Sequence, residues 1–335
     1  MRFLTTKFLL AAAIALGAAP AAANADPFMQ DDLKWLETMA FAAHRTDYSG
    51  TFIYQYGNHV ETSRITHVVD ADGEHGRLES LDGQRREIIR NNGEVWCYMG
   101  DKKIKVEGHN HGREFPALLE DASLLSRINR NYRVSQAGEA RVAGFHAHGI
   151  LFLPRDDLRY AHKMWADSNS GLLLKAEVLD EHGNVVERYA FTQLTLDGKD
   201  IDRSWIVHEP QNDQAHSATA PEAQKDAESA AATSSGWHVD ALPPGFVKVA
   251  EVRRAIHDRP TSAIQMVYSD GLAGISVFIE AADQDDDDET AGGLTSQGAI
   301  QVYSKVVDGH LVTVVGEVPP QTVIDVADSV RYAGK

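Results

Sequence analysis

The chain has 335 residues, a formal net charge of −17 and a single cysteine. That length gives room for two domains of ordinary size. The acidic balance repels phosphate backbones and anionic surfaces at long range, which excludes nucleic-acid binding and confines any lipid contact to a local basic patch or an apolar cavity.

From the N-terminus, Arg2 and Lys7 flank the start of an apolar run, Phe8 to Ala19, and Ala23-Asn24-Ala25 places small residues at the positions a signal peptidase reads. Residues 1–25 are expected to be a secretory signal cleaved before Asp26, because the run is too short to span a bilayer. The product is expected to be exported and soluble. Cys97 alone cannot build a disulfide framework even in an oxidising compartment. It sits in the strand-like stretch Glu94-Val95-Trp96-Cys97-Tyr98 and reads as a buried, inert thiol, with a nucleophile or an intermolecular disulfide as the competing readings.

A larger domain is expected over residues 26–208. It opens with a helix, in which Leu33, Leu36, Ala40 and Ala43 share a face. The period then changes to two: strands are expected around 51–56, 64–69, 86–90 and 95–99, separated by Gly57-Asn58, Asp72-Gly73, Asp82-Gly83 and Asn92-Gly93, all tight-turn dipeptides. A helical segment follows over 117–130, then strands around 149–153, 160–166, 172–179 and 185–194. Consecutive strands joined by short turns predict an antiparallel meander, curved around helices, within an α+β class.

Residues 209–235 are rich in Ala, Ser, Gln and acids and hold no large apolar side chain, so they read as a flexible linker. A smaller α+β domain is expected over 236–335. Its strands fall around 246–252, 262–268, 274–280, 299–306 and 311–317, and a helix opened by Pro319-Pro320 runs to about Arg331 with Val323, Val326, Ala327 and Val330 on one face. The acidic run Asp283 to Glu289 is expected to be a solvated loop, and it lacks the spacing of a calcium-binding loop.

The sequence carries no nucleophile elbow, phosphate-binding loop, dinucleotide fingerprint or His-Glu-x-x-His. His109 with His111, and His146 with His148, each put two imidazoles on one strand face, but no third ligand stands at a recognisable spacing. No catalytic, cofactor or metal residue is therefore assigned, and the chain is expected to act by binding. A metal-dependent hydrolase using the histidine pairs is the outlying alternative.

Several segments in succession resemble the MucB/RseB family of periplasmic regulators of extracytoplasmic sigma factors. They are Asp82-Gly83-Gln84-Arg85-Arg86-Glu87, Arg159-Tyr160 followed by Trp165, and Val178-Leu179-Asp180 through Glu187-Arg188-Tyr189. The smaller domain adds Trp237, Leu242-Pro243-Pro244-Gly245-Phe246, Tyr268-Ser269-Asp270-Gly271-Leu272 with Ser276-Val277, and Val315 through Thr322. The resemblance implies a periplasmic protein whose larger domain is a half-open barrel like those of the carriers LolA and LolB. It also implies a partner, the periplasmic part of a membrane-spanning anti-sigma factor of the RseA/MucA type. Occupying that segment shields it from a site-one protease until lipid or lipopolysaccharide signals envelope damage.

The residues accommodate such a role. Phe52, Tyr54, Trp96, Tyr98, Phe152, Trp165 and Phe191 are candidates to line an acyl cavity, although each has a competing reading as ordinary core. Arg85, Arg86 and Arg90, with Arg155 and Arg159, are candidates to meet a lipid phosphate. By family analogy, Tyr268, Asp270 and Phe246 are candidates for the partner surface. A lipoprotein or lipid carrier is the alternative function, and homo-oligomerisation is left open.

Overall fold

The computed structural model describes residues 35, 38–39, 41–92, 94–100, 102–106, 125–196, 198–206, 235–255, 262–282 and 292–333. The signal at 1–25, linker residues 209–234, the acidic run at 283–289 and the His109/His111 pair lie outside them.

The first half contains β1 (Tyr48–Tyr56), β2 (His59–Asp70), β3 (Gly73–Ser80), β4 (Arg86–Asn91), β5 (Glu94–Met99), β6 (Lys102–Val106), helix α1 (Leu125–Asn131), β7 (Tyr132–Val142), β8 (Phe145–Pro154), β9 (Ala161–Asp167), β10 (Leu173–Leu179) and β11 (Val185–Thr195). These strands form one antiparallel sheet of eleven, in the order β6-β5-β4-β3-β2-β1-β11-β10-β9-β8-β7. β6 and β7 are its two edges, so the sheet is open and no barrel closes. Near neighbours in sequence are neighbours in space except where β1 meets β11, which zips the two meanders together.

Strand alternation puts a core on each face of this sheet. Phe52, Tyr54, Ile65, Leu78, Ile88, Val95, Trp165, Leu174, Tyr189 and Phe191 form one, called here the aromatic face. On the other face Ile128 of α1 and Met39 pack on Tyr132, Val134, Ile150, Phe152, Met164 and Leu173, and Leu272 from the second half joins them. Fully burying each aliphatic or aromatic side chain contributes about 1.5–3 kcal/mol.

The second half contains β12 (Trp237–Val239), β13 (Val247–Ala255), β14 (Ser262–Ser269), β15 (Gly274–Ala281), β16 (Leu294–Gln297), β17 (Ile300–Val307), β18 (His310–Gly316), helix α2 (Pro320–Asp328) and β19 (Val330–Tyr332). Six of these strands make an antiparallel sheet in the order β13-β14-β15-β18-β17-β16, and β12 pairs with β19. The alternating Ile275, Val277 and Ile279 of β15, with Met266, Val312 and Val314, meet Val323, Val326 and Ala327 of α2 in a solid core.

The expected helix through Arg331 is corrected here. Ser329 caps α2 through its backbone N–H, and Val330, expected on the helix face, is buried from β19 instead. Strands β3, β6, β7, β12, β16 and β19 were not expected from the pattern. The antiparallel α+β class and the five principal strands of the second half agree with expectation.

Candidate functional site

Among the described residues the two halves meet at two places, and both are built from residues far apart in sequence. At the first, the Arg159 guanidinium donates to Asp270 Oδ2 at 2.5 Å, to the Pro244 carbonyl at 2.7 Å, and to both oxygens of Asp156 at 2.9 and 3.0 Å. The Tyr132 hydroxyl donates to the same Asp270 oxygen at 3.0 Å. Asp270 Oδ1 accepts from the backbone N–H groups of Leu272 and Ala273, at 3.0 and 2.8 Å. Arg159 also lies 5.3 Å from the Phe246 ring centroid and 5.7 Å from that of Tyr132, close enough for cation–π attraction. Asp270 is fully buried, and burial together with its carboxylate pushes the Tyr132 hydroxyl well up. Beside it, Gly245 turns with φ +86° against Asn131, where a Cβ would overlap the amide.

At the second place the turn between β16 and β17 sits on the aromatic face. The Ala299 N–H and the Tyr54 hydroxyl both donate to Glu187 Oε2 at 2.9 Å. Gln301 Nε2 donates to the Tyr160 hydroxyl and Gln297 Nε2 to that of Tyr56, each at 3.3 Å. Gly298, at φ +61°, lies against Tyr54 and Glu187 so closely that a Cβ would overlap the carboxylate and stand 2.9 Å from the tyrosine oxygen. Thr322 of α2 adds a bond to the Leu158 carbonyl at 3.0 Å.

Next to this second contact is a cavity of about 230 Å³, lined by Phe52, Tyr54, Glu61, Ser63, Arg86 and Tyr189 from the first half and by Gln297 and Ile300 from the second. Its floor is a row of rings. Tyr54 stacks on Tyr189 at 4.6 Å, and Phe52 meets Phe191 edge-on at 5.9 Å. A β-bulge at Thr51/Phe52 brings Phe52 opposite Phe191, and Gly50 leaves room for the Phe191 ring, which would stand 3.0 Å from any Cβ there. Chemically, the arrangement offers a floor of rings, polar walls that include the Arg86 guanidinium, the Glu61 carboxylate and the Ser63 hydroxyl, and a roof supplied by the other half.

Of the seven aromatic cavity candidates, Phe52 and Tyr54 line this space and Phe191 backs it. Trp165 belongs to the same core but lies under Lys163 and Lys175, 4.8 and 4.2 Å from its ring centroid. The other three are elsewhere. Phe152 is fully buried in the core of the opposite face. Trp96 and Tyr98 alternate with Val95 and Cys97, which pack on the aromatic face, so their half-exposed rings project from the other side with Lys103 over both. Cys97 is half-buried, and burial pushes its thiol up, as an inert residue requires.

Among the arginine candidates, Arg86 reaches the cavity, Arg85 is exposed on the preceding turn, and Arg90 faces Glu74 at 3.6 Å near the far end of β4. Arg155 is exposed, whereas Arg159 is the centre of the first contact. Tyr268, Asp270 and Phe246 are not on an open surface. Tyr268 is core, with its hydroxyl pushed up to about 12 by burial, and the other two are consumed by the contact with Arg159. His146 is exposed and His148 packs edge-on against Trp35, and no cluster of three or more metal-ligating side chains exists among the described residues.

Sequence reasoning missed Glu187 as a site residue, although the segment containing it stood out. The segments that carried the resemblance converge here: Arg159-Tyr160, Glu187, Pro244-Gly245-Phe246, Asp270 and Leu272, and Thr322 all build the contact between halves.

Comparison with known proteins gives the same outline. The family model for the MucB/RseB N-terminal domain matches residues 31–217, and that for the MucB/RseB C-terminal domain matches residues 231–331. The Pseudomonas aeruginosa sigma factor AlgU regulatory protein MucB is 32% identical over 99% of this chain and 98% of its own length. The Escherichia coli K12 sigma-E factor regulatory protein RseB is 26% identical over 89% of each. Among solved structures, the complex of Pseudomonas aeruginosa MucA and MucB aligns with a TM-score of 0.68 and 31% identity, covering 91% of this chain and all of the matched one. A crystal structure of MucB with MucA(peri) aligns with a TM-score of 0.67 and 30% identity, covering 90% and 99%.

Proposed function

The chain belongs to the MucB/RseB family, and from that premise we propose that it is a periplasmic regulator that binds the periplasmic part of a membrane anti-sigma factor. While bound, it covers that segment and shields it from site-one proteolysis, holding the sigma factor's stress response off. The observation that carries this reading is that the similarity to a chain solved in complex with MucA(peri) covers 90% of this chain and so runs through both halves. A partner that needs both halves gives a reason for a contact made of buried, fully bonded groups. The chain does no chemistry of its own in this account: binding and release suffice.

We further propose that the signal is an acyl-bearing ligand taken up on the aromatic face. The cavity supports it by pairing a floor of Phe52, Tyr54 and Tyr189 with Arg86 at the rim. Each acyl methylene buried there stabilises the complex by about 0.8 kcal/mol before entropy losses. A carrier would use the same cavity, but nothing in a carrier calls for a second half that roofs it. Calorimetric titration of the intact protein with the cognate anti-sigma periplasmic segment tests the main reading. Saturable one-to-one binding is expected; no heat and no co-migration in gel filtration would remove it.

A further inference from the structure

The roof over the cavity is a thin element. β16 is the edge of its sheet, pairs only with β17, and all four of its residues are exposed. What holds β16 and the turn against the first half is the tip, with Ala299 N–H on Glu187, Gln297 on Tyr56 and Gly298 in close approach to Tyr54, while the buried Gln301 of β17 makes a separate bond to Tyr160. Glycine is required there because the backbone has a positive φ and the space a side chain would occupy is filled by Glu187.

The tip also stands in line with the rings. Along β11, Phe191, Tyr189 and Glu187 alternate onto the aromatic face, and opposite them on β1 lie Phe52, Tyr54 and Tyr56. The cavity occupies the Phe52–Tyr189 stretch, and the turn sits at the Glu187–Tyr56 end. A chain running on past Phe52 and Tyr189 towards Tyr56 meets the turn there. Chain and turn need the same ground.

We infer that β16 and its turn into β17 are a gate on the aromatic row, hinged on β17, which stays paired with β18. An acyl chain with an anionic head and the seated turn exclude each other, so filling the row lifts β16 and the turn and loosens that end of the contact between halves. Arg86 receives the head, the rings receive the chain, and Glu187 exchanges the Ala299 N–H for water. The contact at Arg159 shares none of these groups and stays closed. This inference rests on the lipid reading above and adds which element answers the ligand.

The test uses the intact protein and the fluorescent fatty acid cis-parinaric acid. Gly298→Val drives a branched side chain into the Glu187 carboxylate at a backbone angle that such residues avoid, without altering a residue that lines the cavity. The variant should bind the probe roughly ten-fold more tightly, because the closed state no longer competes. In the wild type, saturating probe should speed hydrogen exchange at the Ala299 amide by at least about ten-fold, while the Leu272 and Ala273 amides on Asp270 keep their protection. The exchange measurement needs no variant, so it decides the matter even if Gly298→Val does not fold. Equal probe affinity in a folded variant, or an Ala299 amide still protected with probe bound, overturns the gate and leaves the lipid reading standing. Failure of every form to bind the probe removes the lipid reading and the gate together.

Discussion

At Arg159 and at Glu187 the same two halves meet in opposite styles. Around Arg159, charge is matched to charge inside the protein. Asp270 accepts from Arg159, Tyr132 and two backbone N–H groups, and two rings cover the guanidinium. Around Glu187 a short turn touches down on one carboxylate next to a 230 Å³ cavity. A buried ion pair with all its bonds made is costly to open by halves, because any partial separation strands a charge. A turn held to the buried Glu187 by one backbone N–H costs less, because no ion pair crosses there and Tyr54, from the same half, still donates to that oxygen when the turn leaves. The difference divides the contact into a fixed end and a yielding end, which is what a binding protein that must also let go requires.

The largest effect is expected from breaking the fixed end. Asp270→Ala leaves the Arg159 guanidinium buried without its acidic partner across the contact and should cost about 3–5 kcal/mol in urea unfolding. Adding Arg159→Met in the same chain should recover much of that loss. A single-variant loss under about 1 kcal/mol would show that the pair is solvated in solution. Because Asp270 is buried, its substitution should weaken anti-sigma binding by disturbing the arrangement of the halves, not by deleting a surface contact.

Next in size is a pH effect at the same end. His162 is fully buried and packs edge-on against Tyr132, and burial lowers its titration from 6.5 to about 4 against the opposing pull of Asp270. Between those two values the unfolded chain holds a proton that the folded chain refuses. Stability present above pH 6.5 is therefore lost as the pH falls towards 4, by roughly 3 kcal/mol from this group. His162→Phe should flatten the melting temperature across that window; a slope identical to wild type would remove His162 from the account.

At the yielding end the effects should be smaller. Glu187→Gln keeps an acceptor for Tyr54 and Ala299 but removes its charge, and should cost about 1 kcal/mol in stability. The sharper readout is probe affinity, which should rise as the turn loosens. Smallest of all, Trp96→Ala on the opposite side of the sheet should leave cis-parinaric acid binding unchanged, whereas Phe52→Ala should weaken it. Equal losses from the two would put the ligand somewhere other than the aromatic face.

How far these regions could be read from sequence differs for physical reasons. The second half was legible because its strands alternate cleanly, as in Ile275, Val277 and Ile279, and its proline pair marks the start of α2. β7 was not, because its middle, Ser135 to Glu139, carries no large apolar side chain, and a bulge at Gln136/Gly138 moves its buried residues from the face of Tyr132 and Val134 to that of Val142. β3 escaped for another reason: it carries two glycines and one buried apolar side chain, Leu78. Aromatic residues on alternating strands are natural candidates to line a cavity, but which face each pair takes depends on register, and Trp96 and Tyr98 project from the side opposite the aromatic face. Asp270 and Phe246 stood out in sequence, yet their burying partner Arg159 lies more than eighty residues away from either. No local pattern carries that information.

The central claim is that this chain acts by covering a peptide. The rate at which a site-one protease cleaves the cognate anti-sigma periplasmic segment, measured with increasing amounts of the purified protein, tests it most directly. Cleavage should fall towards zero at saturation and return when cis-parinaric acid is added. Cleavage that proceeds at its original rate with the segment fully bound would contradict the account.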